Sequence, residues 1–134
     1  MIRSIFSVLA GFFVIALLTG LTVNALGYFY PGSMGDKQTL PNDFWAAVNL
    51  VYSLIFTAIG GFVTGIVARR AELIHSLILG GIFAFLGLLA FLSVTEFQLL
   101  WFQISLIFGP LIAAAAGGYL SRWQNKNRYF KWEV

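Results

Sequence analysis

Four long apolar runs, Ile5 to Leu26, Phe44 to Ala68, Leu73 to Val94 and Leu99 to Leu120, contain no Asp, Glu, Lys or Arg, and every charged residue falls outside them. Each run holds 22 to 25 residues. A helix of about 20 residues crosses the ~30 Å hydrocarbon core of a bilayer, so all four are long enough to span. In lipid only helices and closed barrels satisfy their own backbone, and these runs lack the strict alternation of barrel strands. The pattern predicts an all-α membrane protein, one domain over 1–134 built as an antiparallel bundle of four transmembrane helices.

Charge sets the expected orientation. Seven of the eight Lys and Arg lie at Arg3, at Arg69-Arg70, and at Arg122, Lys126, Arg128 and Lys131, which alternating spans bring to one side; Lys37 alone falls on the other. The positive-inside bias then puts both termini in the cytoplasm, with the Gly27–Asp43 loop and the Val94–Gln98 turn outside. Arg3, Val23 and Ala25 imitate a signal peptide, but the apolar core exceeds the usual ~7–15 residues, so an uncleaved span is expected. Topology thus accounts for the net charge of +3 without a nucleic-acid partner. Arg69, Arg70, Arg122, Lys126, Arg128 and Lys131 are expected to meet anionic headgroups or a partner, aided in the tail by Trp123, Tyr129, Phe130 and Trp132.

Local signals mark the ends of the spans. Pro41-Asn42-Asp43 offers a capping oxygen for the second helix, and Ser93-Val94-Thr95-Glu96 matches a capping box before the fourth. Tyr28, Phe29, Tyr30, Phe44, Trp45, Phe97, Trp101 and Phe102 suit the outer headgroup level.

Small residues recur every four positions in two of the spans. Asn49, Ser53, Thr57, Gly61 and Gly65 form one row; Ser105, Gly109, Ala113, Gly117 and Ser121 form another. Such rows let backbones approach closely, and in lipid it is van der Waals fit and hydrogen bonds that hold helices together. Helices two and four are therefore expected to make the closest contacts, with one ridge left for another chain. The shorter rows are Ala16, Gly20 and Asn24 in helix one and Ser76, Gly80 and Ala84 in helix three; Gly87, off that row, is expected to face lipid.

The stretch Gly60-Gly61-Phe62-Val63-Thr64-Gly65-Ile66-Val67-Ala68-Arg69-Arg70, followed by Ile74-His75-Ser76-Leu77-Ile78-Leu79-Gly80, carries a resemblance, as do Trp101-Phe102-Gln103-Ile104, Gly109-Pro110 and Ala115-Ala116-Gly117-Gly118-Tyr119-Leu120-Ser121-Arg122. Together these resemble a diffuse family of small uncharacterised bacterial inner-membrane proteins with four helices. The resemblance covers helices two to four. It implies a bacterial origin and brings neither an activity nor catalytic residues.

Candidate chemistry is sparse. His75, the single histidine, is a candidate axial ligand to a tetrapyrrole or an interfacial imidazole bonded to backbone or water. Asn24, Asn49, Ser53 and Thr57 either line a small polar path or hydrogen-bond across helices. Pro110 frees the Leu106 carbonyl, and either breaks helix four around a site or kinks it. With no cysteine, no paired carboxylates and no carboxylate, lysine or arginine in any run, an enzyme, an ion-coupled pump and a metal site are not expected. The reading is a non-catalytic structural or accessory subunit, without a cofactor, packed in an oligomer or beside a larger membrane complex. The alternative is a small channel or carrier for a neutral or weakly polar solute built around Asn49, Ser53 and Thr57.

Overall fold

The computed structural model describes residues 2–33, 42–93 and 99–130, with side chains in the last segment described as far as 127. Lys37, Pro41, the capping box beyond Ser93, Phe97, Lys131 and Trp132 lie outside the described residues, as do the side chains of Arg128, Tyr129 and Phe130. Among the described residues four α-helices make up the fold: α1, Ile2–Phe29; α2, Asp43–Ala68; α3, Glu72–Ser93; and α4, Leu100–Phe130. Each is long and apolar enough to cross a membrane, as expected of a multi-pass protein. One 3-10 turn, Pro31–Ser33, follows α1.

The largest departure from the expected spans is α4, which continues past Leu120 to Phe130 and reaches 31 residues. No Gly or Pro interrupts 122–130, and adding residues to an existing helix gains a hydrogen bond for each residue fixed. At ~1.5 Å per residue, α4 is about 46 Å long against a ~30 Å apolar core. Its last turns therefore carry Arg122, Trp123 and Lys126 beyond the apolar layer as helix rather than as a loose tail.

Helix ends follow their capping chemistry. The Asn42 side chain accepts from the Trp45 backbone N–H at 3.0 Å, starting α2 as the sequence implies. At its other end Arg69 adopts the left-handed conformation, φ 57°, and its N–H bonds the Gly65 carbonyl. Ala71 is also left-handed, φ 51°, so the tight turn into α3 places two Cβ-bearing residues where glycine is favoured. Pro110 leaves α4 a continuous helix.

The α2–α4 interface is the most extensive, followed by α3–α4 and α1–α2. A Cβ on Gly61 would lie 2.6 Å from the Ala114 carbonyl oxygen, and one on Gly117 would lie 2.7 Å from the Phe62 nitrogen and run into the Ala58 carbonyl. Gly65 abuts the side chain of Ser121 in the same way. The two long rows thus cover one another. The expectation that one ridge stays free for another chain is corrected, because each supplies the close approach the other needs.

Helix α3 contributes more than its short row suggested. Gly80 lies against α4, where a Cβ would be 2.9 Å from the Pro110 carbonyl oxygen and 3.0 Å from Ala114 Cβ. Gly87 is pressed against the same helix, so its expected place facing lipid is also corrected. Ser76, fully buried, donates to the Gly61 carbonyl of α2 at 2.7 Å while its Cβ packs on Gly118 of α4. Three helices meet at that hydroxyl.

Helix α1 packs through Ser7, Gly11 and Ile15, all buried. A Cβ on Gly11 would lie 2.6 Å from the Gly60 carbonyl oxygen and 2.9 Å from Leu79 Cδ2. The short row of Ala16, Gly20 and Asn24 is exposed, with nothing within 4 Å of a Cβ on Gly20. One helical face cannot hold both rows, and the deeper contacts of Gly11 and Ile15 decide which is inside.

Candidate functional site

Around the bundle the order is α1, α2, α4, α3, and the α1–α3 seam that closes the circle has the slightest of these four interfaces. It is pinned midway. Phe12 stacks on Phe83 with ring centroids 5.3 Å apart, beside the contact of Gly11 with Leu79. On either side of this pin the two helices part and leave a crevice.

The crevice nearer Arg3 has a volume of about 300 Å³ and is lined by Ser4, Ile5, Val8 and Leu9 of α1 and by His75 and Ile78 of α3. The His75 Nδ1 lies 2.9 Å from the Ala71 carbonyl oxygen. A carbonyl only accepts, so Nδ1 carries the proton in this bond. The imidazole is thereby tied to the residue that precedes its own helix.

The crevice on the far side of the pin has a volume of about 310 Å³ and draws on all four helices: Thr19 of α1, Ser53 and Thr57 of α2, Phe83 and Gly87 of α3, Leu106 and Pro110 of α4. The polar groups on α2 bond along their own helix. Asn49 Nδ2 donates to the Tyr52 hydroxyl, Ser53 donates to Asn49 Oδ1 at 3.4 Å, and Thr57 donates to the Ser53 carbonyl at 2.7 Å. Asn49 is not among the residues lining the crevice, so of the three proposed for a polar path two are brought together there. Asn24 is exposed and donates to the Gly20 carbonyl at 2.8 Å. Neither asparagine makes a bond across helices, which corrects that expectation: each reaches a partner on its own helix three or four positions away.

In helix α4, Ser105 is half-buried and donates to the Trp101 carbonyl at 2.8 Å; Gly109 faces the Leu54 side chain; Ser121 is fully buried and donates to the Gly118 carbonyl. Ala113 is half-buried. Thr57, Gly61 and Gly65 are buried in α2.

The cations gather at the end that holds the start of α1. Arg3 Nε donates to the Val67 carbonyl at 3.2 Å, which brings it beside the exposed Arg69 and Arg70. Arg122 borders two shallow recesses, one against Ala71 to Ile74 at the start of α3, the other shared with Tyr119, Trp123 and Lys126. Glu72 accepts from Asn125 Nδ2 at 3.1 Å, tying α3 to the extension of α4. Among the described residues no three His, Asp or Glu side chains are grouped to hold a metal ion.

Residues that sequence reasoning passed over are Thr19 in the far crevice, the buried Gln103, and Thr64, fully buried with an unpartnered Oγ1 at the Gly11 crossing. Their signal was a polar residue in a charge-free run, which by itself names no partner. No family model matches this chain, and neither a curated protein nor a solved structure does.

Proposed function

We propose that the chain is a non-catalytic accessory or structural subunit that docks through α1 on another membrane chain, either a second copy or a member of a larger complex. The observation that carries this is the outward row of Ala16, Gly20 and Asn24, small and uncovered while every other small-residue row is spent inside the bundle. Small residues admit a second backbone, and an exposed amide offers a hydrogen bond within the apolar layer. The bundle is read as antiparallel between sequential helices, from contacts such as Arg3 with Val67 and the Tyr30 ring with Trp45 at 5.8 Å. The cluster of Arg3, Arg69, Arg70, Arg122 and Lys126 supports an orientation with both termini in the cytoplasm and these side chains at anionic headgroups. The family resemblance supports the bacterial inner membrane as its location.

Native mass and partner recovery from mild detergent test the reading. The unsubstituted chain should carry a stoichiometric partner, and Gly20→Leu should lose it without lowering the melting temperature of the isolated bundle. Recovery of the unsubstituted chain solely as a monomer would sink the proposal. The carrier reading keeps Ser53 and Thr57 at a crevice, whose wall includes Phe83, the ring stacked on Phe12.

A further inference from the structure

We propose that the far crevice, between α1 and α3, binds the hydroxyl end of an uncharged long-chain alcohol whose chain passes out between those helices into the lipid.

Its volume of about 310 Å³ lies at the small end of ligand pockets, which run from roughly 300 to 1,000 Å³, and far exceeds the ~30 Å³ share of one water. No lining residue is ionisable, and a charge buried there would go uncompensated, so the occupant is neutral.

The hydrogen-bonding state of the walls says which way the bond runs. Thr57 commits its hydroxyl proton to the Ser53 carbonyl at 2.7 Å, and Ser53 directs its own toward Asn49 Oδ1 at 3.4 Å, leaving oxygen lone pairs. The Leu106 carbonyl has lost its usual helical donor, because residue 110 is proline and has no N–H. With Thr19, whose hydroxyl can accept as well as donate, these residues border one space rich in acceptors, and acceptors in an apolar layer favour a donor. An alcohol supplies one donor and a chain. The exit is at the slight α1–α3 seam, where Leu86 borders the crevice and is 44% exposed. The site uses the Ile15 and Thr19 side of α1 and is independent of the outward Ala16–Gly20 docking face.

The test places the full chain in phosphatidylcholine nanodiscs with 1-dodecanol bearing a mid-chain diazirine, irradiates, and maps labelled peptides by mass spectrometry. Labelling should saturate, fall on α1 and α3 around Thr19 and Leu86, and be displaced by plain 1-dodecanol but not by its methyl ether, which cannot donate. Thr57→Val should weaken displacement by 1-dodecanol about fivefold, the factor corresponding to one neutral hydrogen bond of ~1 kcal/mol, and Thr57→Ser should restore it. Leu86→Trp, which fills the mouth, should remove the saturable label, and decides the matter if Thr57→Val does not fold. Equal displacement by the methyl ether, by dodecanoate or by dodecylammonium overturns the proposal. So does unsaturable label spread over all lipid-facing helices.

Discussion

Gly87 and Leu106 stand so close that a Cβ on Gly87 would lie 2.8 Å from the Leu106 carbonyl oxygen. That oxygen is the acceptor Pro110 deprives of a helical N–H. Only a glycine allows α3 to approach it, and a Cα–H···O contact of ~0.5–1 kcal/mol compensates one of its two lone pairs in part. The pair joins a helix break signal in α4 to a glycine in α3 that the four-residue row missed. Positions three apart share a helical face as well as positions four apart, and Gly87 is three beyond Ala84.

Gly87→Leu should therefore lower stability in detergent by about 1–3 kcal/mol, the usual range for overpacking, as Gly61→Leu and Gly117→Leu should. Gly81→Leu is the control, since nothing lies within 4 Å of a Cβ there, and it should be neutral or improve helix propensity by up to ~1 kcal/mol. Thermal unfolding of the four variants, followed by gel filtration, gives the ranking. Equal loss at Gly81 would mean that the seams do not set stability.

Ser76→Ala should destabilise the bundle by about 0.6–2 kcal/mol, the range for hydrogen bonds between membrane helices. Its hydroxyl bonds the Gly61 carbonyl across helices at 2.7 Å, whereas Ser105 bonds only its own helix. Ser105→Ala should accordingly cost little. The comparison is a pair of melting curves, and a larger loss at Ser105 would contradict the assignment of the three-helix junction.

Ala71→Gly should raise stability by about 0.5–1 kcal/mol, because a left-handed φ of 51° strains any residue with a Cβ but not glycine. Part of the relief is offset by the greater freedom of glycine in the unfolded chain. A melting temperature below that of the unsubstituted protein would show that the turn gains from its alanine in some other way.

A reporter fused at the C-terminus should be active only in the cytoplasm, and one inserted after Gly32, which is exposed with open space around it, only outside. Paired cytoplasmic and exported reporters read this directly. The reverse pattern would overturn the orientation drawn from Arg3, Arg69, Arg70 and Arg122.

The sequence alone determined that there are four helices and nearly where each begins, because charge exclusion from runs of that length has one physical solution in lipid. It also indicated Asn42 as a cap and the liability of the Leu106 carbonyl, since both depend on residues within one helical turn. Tertiary structure decided which rows are inside. Ser7–Gly11–Ile15 and Ala16–Gly20–Asn24 are equally periodic, and only the contact of Gly11 with Gly60 and Leu79 separates the packed row from the outward one. The crevices were illegible for the same reason: they exist because Phe12 meets Phe83 and pins two helices that otherwise diverge, and a crossing point between distant helices leaves no local pattern in the chain.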